Sequence, residues 1–224
     1  WGPHARGVLS SITRDDLSNE GFPYGTTAEV DFGGIRARLL RISYVGELGW
    51  EIYVGVDDAV ALWDRIWEAG QPHVIVPVGG GVYGTTGRLE KGYRLMGAEL
   101  ESEYTPVEAG LARPRVKSAD FIGKEAYLKA RETGPVATLC TFTVDDHMSV
   151  AGIPRYMTGG EPIVDGDGNR IVDAHGRISI VTTAGMGPSV GKYLLMGYLP
   201  ADLAVEGASF GVKYVNESYG GSVA

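Results

Sequence analysis

Arg41-Ile42-Ser43-Tyr44-Val45-Gly46-Glu47-Leu48-Gly49-Trp50-Glu51-Ile52-Tyr53-Val54 is the stretch whose reading decides the fold. Both ends carry the β-branched and aromatic residues that suit a pleated strand, and two glycines lie between them. The pattern predicts strand, tight turn, strand, with Tyr44 and Glu51 bracketing the turn. Toward the N-terminus, Thr26 to Phe32 predicts a strand, and Gly33-Gly34 predicts a hairpin turn into Ile35–Ser43. A short helix is expected over residues 4–13, with Val8, Leu9 and Ile12 on one face.

Toward the C-terminus, Asp57 is a candidate N-cap, and Ala59, Val60, Leu62, Trp63, Ile66 and Trp67 recur at helical spacing until Gly70 and Pro72. The two tryptophans are expected in the core. Residues 74–78 read as a short strand, and a glycine-rich segment leads into a helix reaching about Tyr93. Residues 94–119 are expected to be mostly irregular, followed by a helix from Gly123 to Arg131. From Val136 short alternating segments are separated by glycine-rich turns, the pattern of a small all-β barrel or sandwich. The expected class is α+β: antiparallel sheets with packed helices over residues 1–133, then a C-terminal β-barrel over 134–224.

The bulk properties limit the function classes. The chain has 224 residues, enough for a sizeable core. A net charge of -8 argues against a nucleic-acid surface, yet leaves room for an anionic ligand at a local basic cluster. No apolar run is long enough to span a membrane. The single Cys140 reads as a buried structural thiol in a reducing compartment. The chain opens on Trp1 rather than Met, so the sequence is expected to be N-terminally incomplete.

Several short motifs weigh little. Gly79-Gly80-Gly81-Val82-Tyr83-Gly84 matches the dinucleotide fingerprint, but Pro77 interrupts the strand before it and the preceding elements are hairpins. The glycines at 81, 84 and 87 also fit close packing of a helix face. Asp165-Gly166-Asp167-Gly168-Asn169 resembles half a calcium loop, but Arg170 replaces the required glycine and Gly176 the closing glutamate. No His/Cys cluster has metal-ligand spacing, and His73 reads as a core histidine. Arg88-Leu89-Glu90-Lys91-Gly92-Tyr93-Arg94 with Glu99 and Glu101 reads either as a solvated helix end or as cations for a carboxylate-bearing ligand.

Four ordered blocks then converge. The stretch at 41–51 resembles the signature hairpin of the aminomethyltransferase (glycine-cleavage T-protein) superfamily. Gly2-Pro3-His4-Ala5-Arg6 with Asp16-Leu17-Ser18 agrees. So do Arg88–Arg94 with Thr105-Pro106-Val107-Glu108-Ala109-Gly110-Leu111, and Asp120-Phe121-Ile122-Gly123-Lys124-Glu125-Ala126. Val181–Gly185, Pro188–Lys192 and Met196-Gly197-Tyr198 fit that family's C-terminal barrel. The detail looks most like the folate-binding half of dimethylglycine and sarcosine dehydrogenases.

The resemblance implies tetrahydrofolate-dependent one-carbon transfer from a methylated amine, with FAD held only in an upstream flavin domain. It implies no nucleic-acid or membrane partner, and a cytoplasmic location, or the mitochondrial matrix in a eukaryote. Glu51 matches the family's pterin-binding glutamate, and Tyr44 lines the same pocket; Tyr83 and Arg113 complete the candidate binding set. Gly84 stands where glycine-cleavage proteins carry an arginine, and Arg113 where they carry a tryptophan. The family's catalytic aspartate falls upstream of Trp1, so no catalytic residue is assigned. The rivals are a free-standing aminomethyltransferase, a folate-dependent demethylase, and a non-catalytic module.

Overall fold

The computed structural model describes residues 1–112 and 115–224, in two units, Trp1–Tyr83 and Gly84–Ala224. The first unit contains helix α1 (Ala5–Ser10), strands β1 (Thr27–Asp31), β2 (Arg36–Leu40) and β3 (Glu51–Val54), and helix α2 (Ala59–Gly70). The strands form an antiparallel sheet in the order β1-β2-β3. Gly33 and Gly34 have φ of 64° and 95°, the left-handed pair a two-residue hairpin needs, and Asp31 pairs with Arg36 across it. Leu9, Phe22, Phe32, Leu39, Trp50 and Leu62 anchor the core beneath the sheet.

The deciding stretch differs from its expected form. β2 stops at Leu40, residues 41–50 form an irregular excursion, and the chain re-enters the sheet at Glu51, opposite Leu40. The excursion is wide because it carries its own anchors. Trp50 is buried, and the Trp1 indole N–H donates to the carbonyl of Ile42 at 3.0 Å. A Cβ on Gly49 would sit 2.8 Å from the Cα of Trp1, so only glycine fits there.

Other local expectations change for similar reasons. A 3-10 turn over Val56–Asp58 precedes α2, and neither Asp57 nor Asp58 caps the helix through its side chain. Trp63 is 60% exposed and stacks on Trp67 with centroids 6.4 Å apart, so this pair lies outside the core. Residues 74–78 form no strand. Val74 adopts φ of 56°, and Ile75 folds back onto Gly70, where a Cβ would meet it at 2.7 Å. His73 is exposed and stacks on His4 at 5.0 Å rather than entering the core.

The second unit holds helices α3 (Gly87–Glu90) and α4 (Lys124–Thr133) and strands β4 (Ala137–Val144), β5 (Ile163–Val164), β6 (Val181–Gly187), β7 (Lys192–Pro200), β8 (Ser209–Tyr214) and β9 (Glu217–Val223). α3 ends well before Tyr93, and Gly92 turns the chain with φ of 68°. The six strands run in the order β5-β8-β9-β4-β7-β6, every pair antiparallel. The ends then meet. Pro162 bridges Ile180, and the Val181 amide donates to the carbonyl of Glu161 at 2.8 Å, curling the sheet into a barrel. β7 crosses the middle and is buried from Tyr193 to Leu199. The fold is therefore α+β, antiparallel sheets with a few helices followed by a barrel-like sheet. Among the described residues no helix is long and apolar enough to cross a membrane.

Candidate functional site

Glu51 opens β3, which pairs only with β2 among the described residues and so lies at the sheet's edge. Strand geometry sends residues i and i+2 to the same face, and Tyr53 duly turns back to Glu51. Its hydroxyl donates to Glu51 Oε2 at 2.7 Å. Tyr83, on a π-helical turn over Val82–Thr86, lies near enough to the carboxylate for its charge to raise the phenol's pKa. The Tyr83 ring lies 5.1 Å from that of Tyr44 and 6.0 Å from that of Trp1. Glu51, Tyr44 and Tyr83 are thus brought together, joined by Tyr53 and Trp1. Arg113 lies outside the described residues.

The electrostatics keep both phenols protonated. The hydrogen bond to Glu51, followed by its charge, raises the pKa of Tyr53. At Tyr83 desolvation contributes most, then the Glu51 charge and hydrogen bond, all upward. A carboxylate thus faces two neutral donors and a set of aromatic rings. It has about four lone-pair directions, so the Tyr53 contact leaves acceptor capacity. A cavity of about 480 Å³ runs along β3 and α2, lined by Trp1, Trp50, Glu51, Tyr53 and Trp63 among others. The Trp50 indole nitrogen is buried without a hydrogen-bond partner among the described residues.

The local pattern around 41–54 did not point to Tyr53 or Trp1. The period-2 rule applied to Glu51 would have found Tyr53. Trp1 is joined to the site by packing across a long sequence separation, and nothing local signals it.

Within the charged segment at 88–94, Arg88 takes a structural role. Arg88 is 1% exposed and pairs with the fully buried Glu99 at 2.9 Å. Arg88 also donates to Thr183 Oγ1 at 2.7 Å, and Glu99 accepts from Thr182 Oγ1 at 2.7 Å and from the Leu95 amide at 2.9 Å. This guanidinium is sealed in, not offered to a ligand. The two other short motifs resolve simply. A Cβ added at Gly81 or Gly84 would meet no atom within 4 Å, so close packing does not demand these glycines. Asp165 Oδ1 accepts from the amides of Asp167 and Asn169 and closes a turn. Among the described residues no group of three or more His, Cys, Asp or Glu could hold a metal ion.

Comparison with known proteins agrees with this architecture. Residues 1–117 match the GCVT N-terminal domain model, and residues 138–224 match the glycine cleavage T-protein C-terminal barrel domain. An aminomethyltransferase of Halothermothrix orenii is 35% identical over 99% of this chain and 57% of its own length. Mitochondrial dimethylglycine dehydrogenase of Mus musculus is 34% identical over 97% of this chain and 24% of its own length. The chain therefore spans between a quarter and somewhat over half of these relatives. The crystal structure of glycine cleavage system aminomethyltransferase T from Bartonella henselae superimposes with a TM-score of 0.79 at 26% identity, covering 99% of this chain and 56% of that one. With the family model for the first domain matching more than half of its residues, this chain belongs to the glycine cleavage T-protein (aminomethyltransferase) family.

Proposed function

We propose that the chain is the folate-binding part of an enzyme that transfers one-carbon units to tetrahydrofolate, of the dimethylglycine/sarcosine dehydrogenase type. The observation that carries this is Glu51 on a sheet edge among Tyr44, Tyr53, Tyr83 and Trp1. The residues fit the cofactor. The 2-aminopyrimidine edge of a pterin presents adjacent N–H donors, which a carboxylate accepts as a charge-assisted pair. The aromatic rings supply flat faces for the heterocycle, and the buried Trp50 N–H has no hydrogen-bond partner among the described residues.

When bound, tetrahydrofolate supplies the nitrogen that takes up the one-carbon unit. This chain's part is recognition. Glu51 orients the pterin, the two phenols hold their protons, and Tyr53 fixes the carboxylate. Proton transfer is assigned to an aspartate upstream of Trp1, as in the family. In the dehydrogenase reading a flavin domain with FAD precedes the chain and oxidises a methylated amine. The domain division proposed is 1–133 and 134–224, with Arg113 as a further folate contact. The mitochondrial relatives support a matrix location in a eukaryote, or the cytoplasm otherwise.

Identity does not separate this reading from a free-standing aminomethyltransferase, since the two kinds of relative match at 34% and 35%. The coding sequence upstream of Trp1 does, through the presence or absence of a flavin domain. For the shared core, titration calorimetry with tetrahydrofolate is the test. Glu51→Gln should weaken binding by about tenfold or more, since a hydrogen bond to a charged group is worth about 1.5–3 kcal/mol. Unchanged affinity in a variant with the parent melting temperature would sink the assignment.

A further inference from the structure

A second cavity lies within the Gly84–Ala224 unit, between the segment leading out of residue 115 and the start of α4. It measures about 390 Å³ and is lined by Leu111, Arg115, Val116, Lys117, Phe121 and Tyr127. Two cations, two aromatic rings and two aliphatic side chains face it, and among the described residues no carboxylate does. In a chain of net charge -8 that sign is unexpected.

Lys117 and the neighbouring Lys124 are held by a ring and by carbonyls. Lys117 Nζ lies 5.1 Å from the Phe121 ring centroid. Lys124 Nζ lies 6.0 Å from the same ring, and it donates to the carbonyls of Ser118 at 2.9 Å and Ala119 at 3.3 Å. Behind Tyr127, Arg131 donates to its hydroxyl at 3.2 Å. Among the described residues, Arg115, Lys117 and Lys124 enter no ion pair. Cation–π and carbonyl contacts position Lys117 and Lys124 while leaving their charge uncancelled. Phe121 and Tyr127 stand 6.4 Å apart at 59°, two walls of an open corner. The acidic neighbours Asp120 and Glu125 are exposed and do not line the cavity.

We propose that this cavity binds a small aromatic dianion. The doubly charged oxyanion meets Arg115 and Lys117, and a flat body lies in the open corner against the Phe121 and Tyr127 rings. Its volume falls at the small end of the ligand-pocket range, about 300–1,000 Å³, which suits one ring and its charged group. Phosphate monoesters and aromatic dicarboxylates share this chemistry. No residue of the Glu51 cluster takes part in the site.

Amide chemical shifts over residues 111–127 of the full chain provide the test, with phenyl phosphate, phthalate and inorganic phosphate titrated in turn. Saturable shifts with phenyl phosphate or phthalate are expected, and the stronger of the two identifies the oxyanion. Inorganic phosphate, which lacks the ring, should bind about tenfold more weakly. Arg115→Gln with Lys117→Gln should weaken binding about tenfold or more, and both side chains are exposed, so the fold is retained. In the unsubstituted chain, raising salt from about 0.02 M to 0.3 M should weaken binding several-fold, because the contacts are solvent-accessible. Absence of saturable shifts up to about 10 mM, the range of a very weak site, overturns the proposal. So does binding indifferent to the double substitution and to salt, or equal affinity for inorganic phosphate.

Discussion

Arg88 and Glu99 show what a single buried charge demands. Both are removed from water, and each finds partners beyond the other, in Thr182, Thr183, Leu95 and the carbonyl of Tyr93. Desolvating such a pair is costly, and full hydrogen-bonding is what offsets it. Removing one member therefore does more harm than removing both. Arg88→Met should destabilise by about 3–5 kcal/mol, as for other buried pairs broken on one side. Arg88→Met with Glu99→Leu should recover part of that loss. Urea denaturation measures both; equal midpoints for the single and double variants would contradict it. The sequence showed these residues as a charge cluster, and the cluster's burial was invisible. The β6 threonines that complete the network, Thr183 on Arg88 and Thr182 on Glu99, lie more than eighty residues away in sequence.

Elements were legible where periodicity and turn chemistry agree. The Gly33-Gly34 hairpin, the amphipathic α2 and the alternation along β4 all follow from local patterns. The 41–50 excursion was not legible as such, because its width is set by Trp1 and Trp50 packing rather than by a turn type. The strand expected at 74–78 fails because pairing needs a neighbour, and Pro77 lacks an amide donor. Barrel closure is similarly non-local. Gly197 in β7 passes the β5–β6 junction so closely that a Cβ would lie 2.5 Å from the Ile180 carbonyl oxygen and 2.8 Å from Ile163 Cδ1. Gly197→Ala should therefore cost about 1–3 kcal/mol, the usual range for overpacking. A thermal melt matching the parent would mean that the closure yields without strain.

At the scale of the molecule, acid stability of the second unit centres on Arg177. It donates to Asp173 at 2.6 Å and to Glu108 at 2.5 Å. Burial pushes both carboxyls up, yet the arginine together with backbone and Thr105 donors outweighs it. The pKa of each ends below its ordinary value, 4.5 for Glu108 and 3.8 for Asp173. A depressed carboxylate contributes stability that is present above the unfolded pKa and lost as pH falls through the folded one. Melting temperature should thus drop as pH is lowered beneath these ordinary values. Arg177→Met should be less stable than the parent at neutral pH, with the gap narrowing as the solution is acidified. A pH series of melts checks this, and a gap that holds constant into acid would refute the linkage. The family's architecture could be recognised from ordered sequence blocks, whereas this triad joins residues 69 positions apart and carries no local signature.

Cys140 sits within β4, opposite Gly197 on β7, and desolvation pushes its thiol up to about 11. Protonated and covered, it is doubly shielded from electrophiles, because the thiolate is the reactive form. The chain has no other cysteine. Its alkylation rate is therefore a clock for the barrel: the thiol reacts only during the moments when β4 parts from its neighbours. The folded protein thereby carries a native reporter of its own breathing, with no label to be introduced.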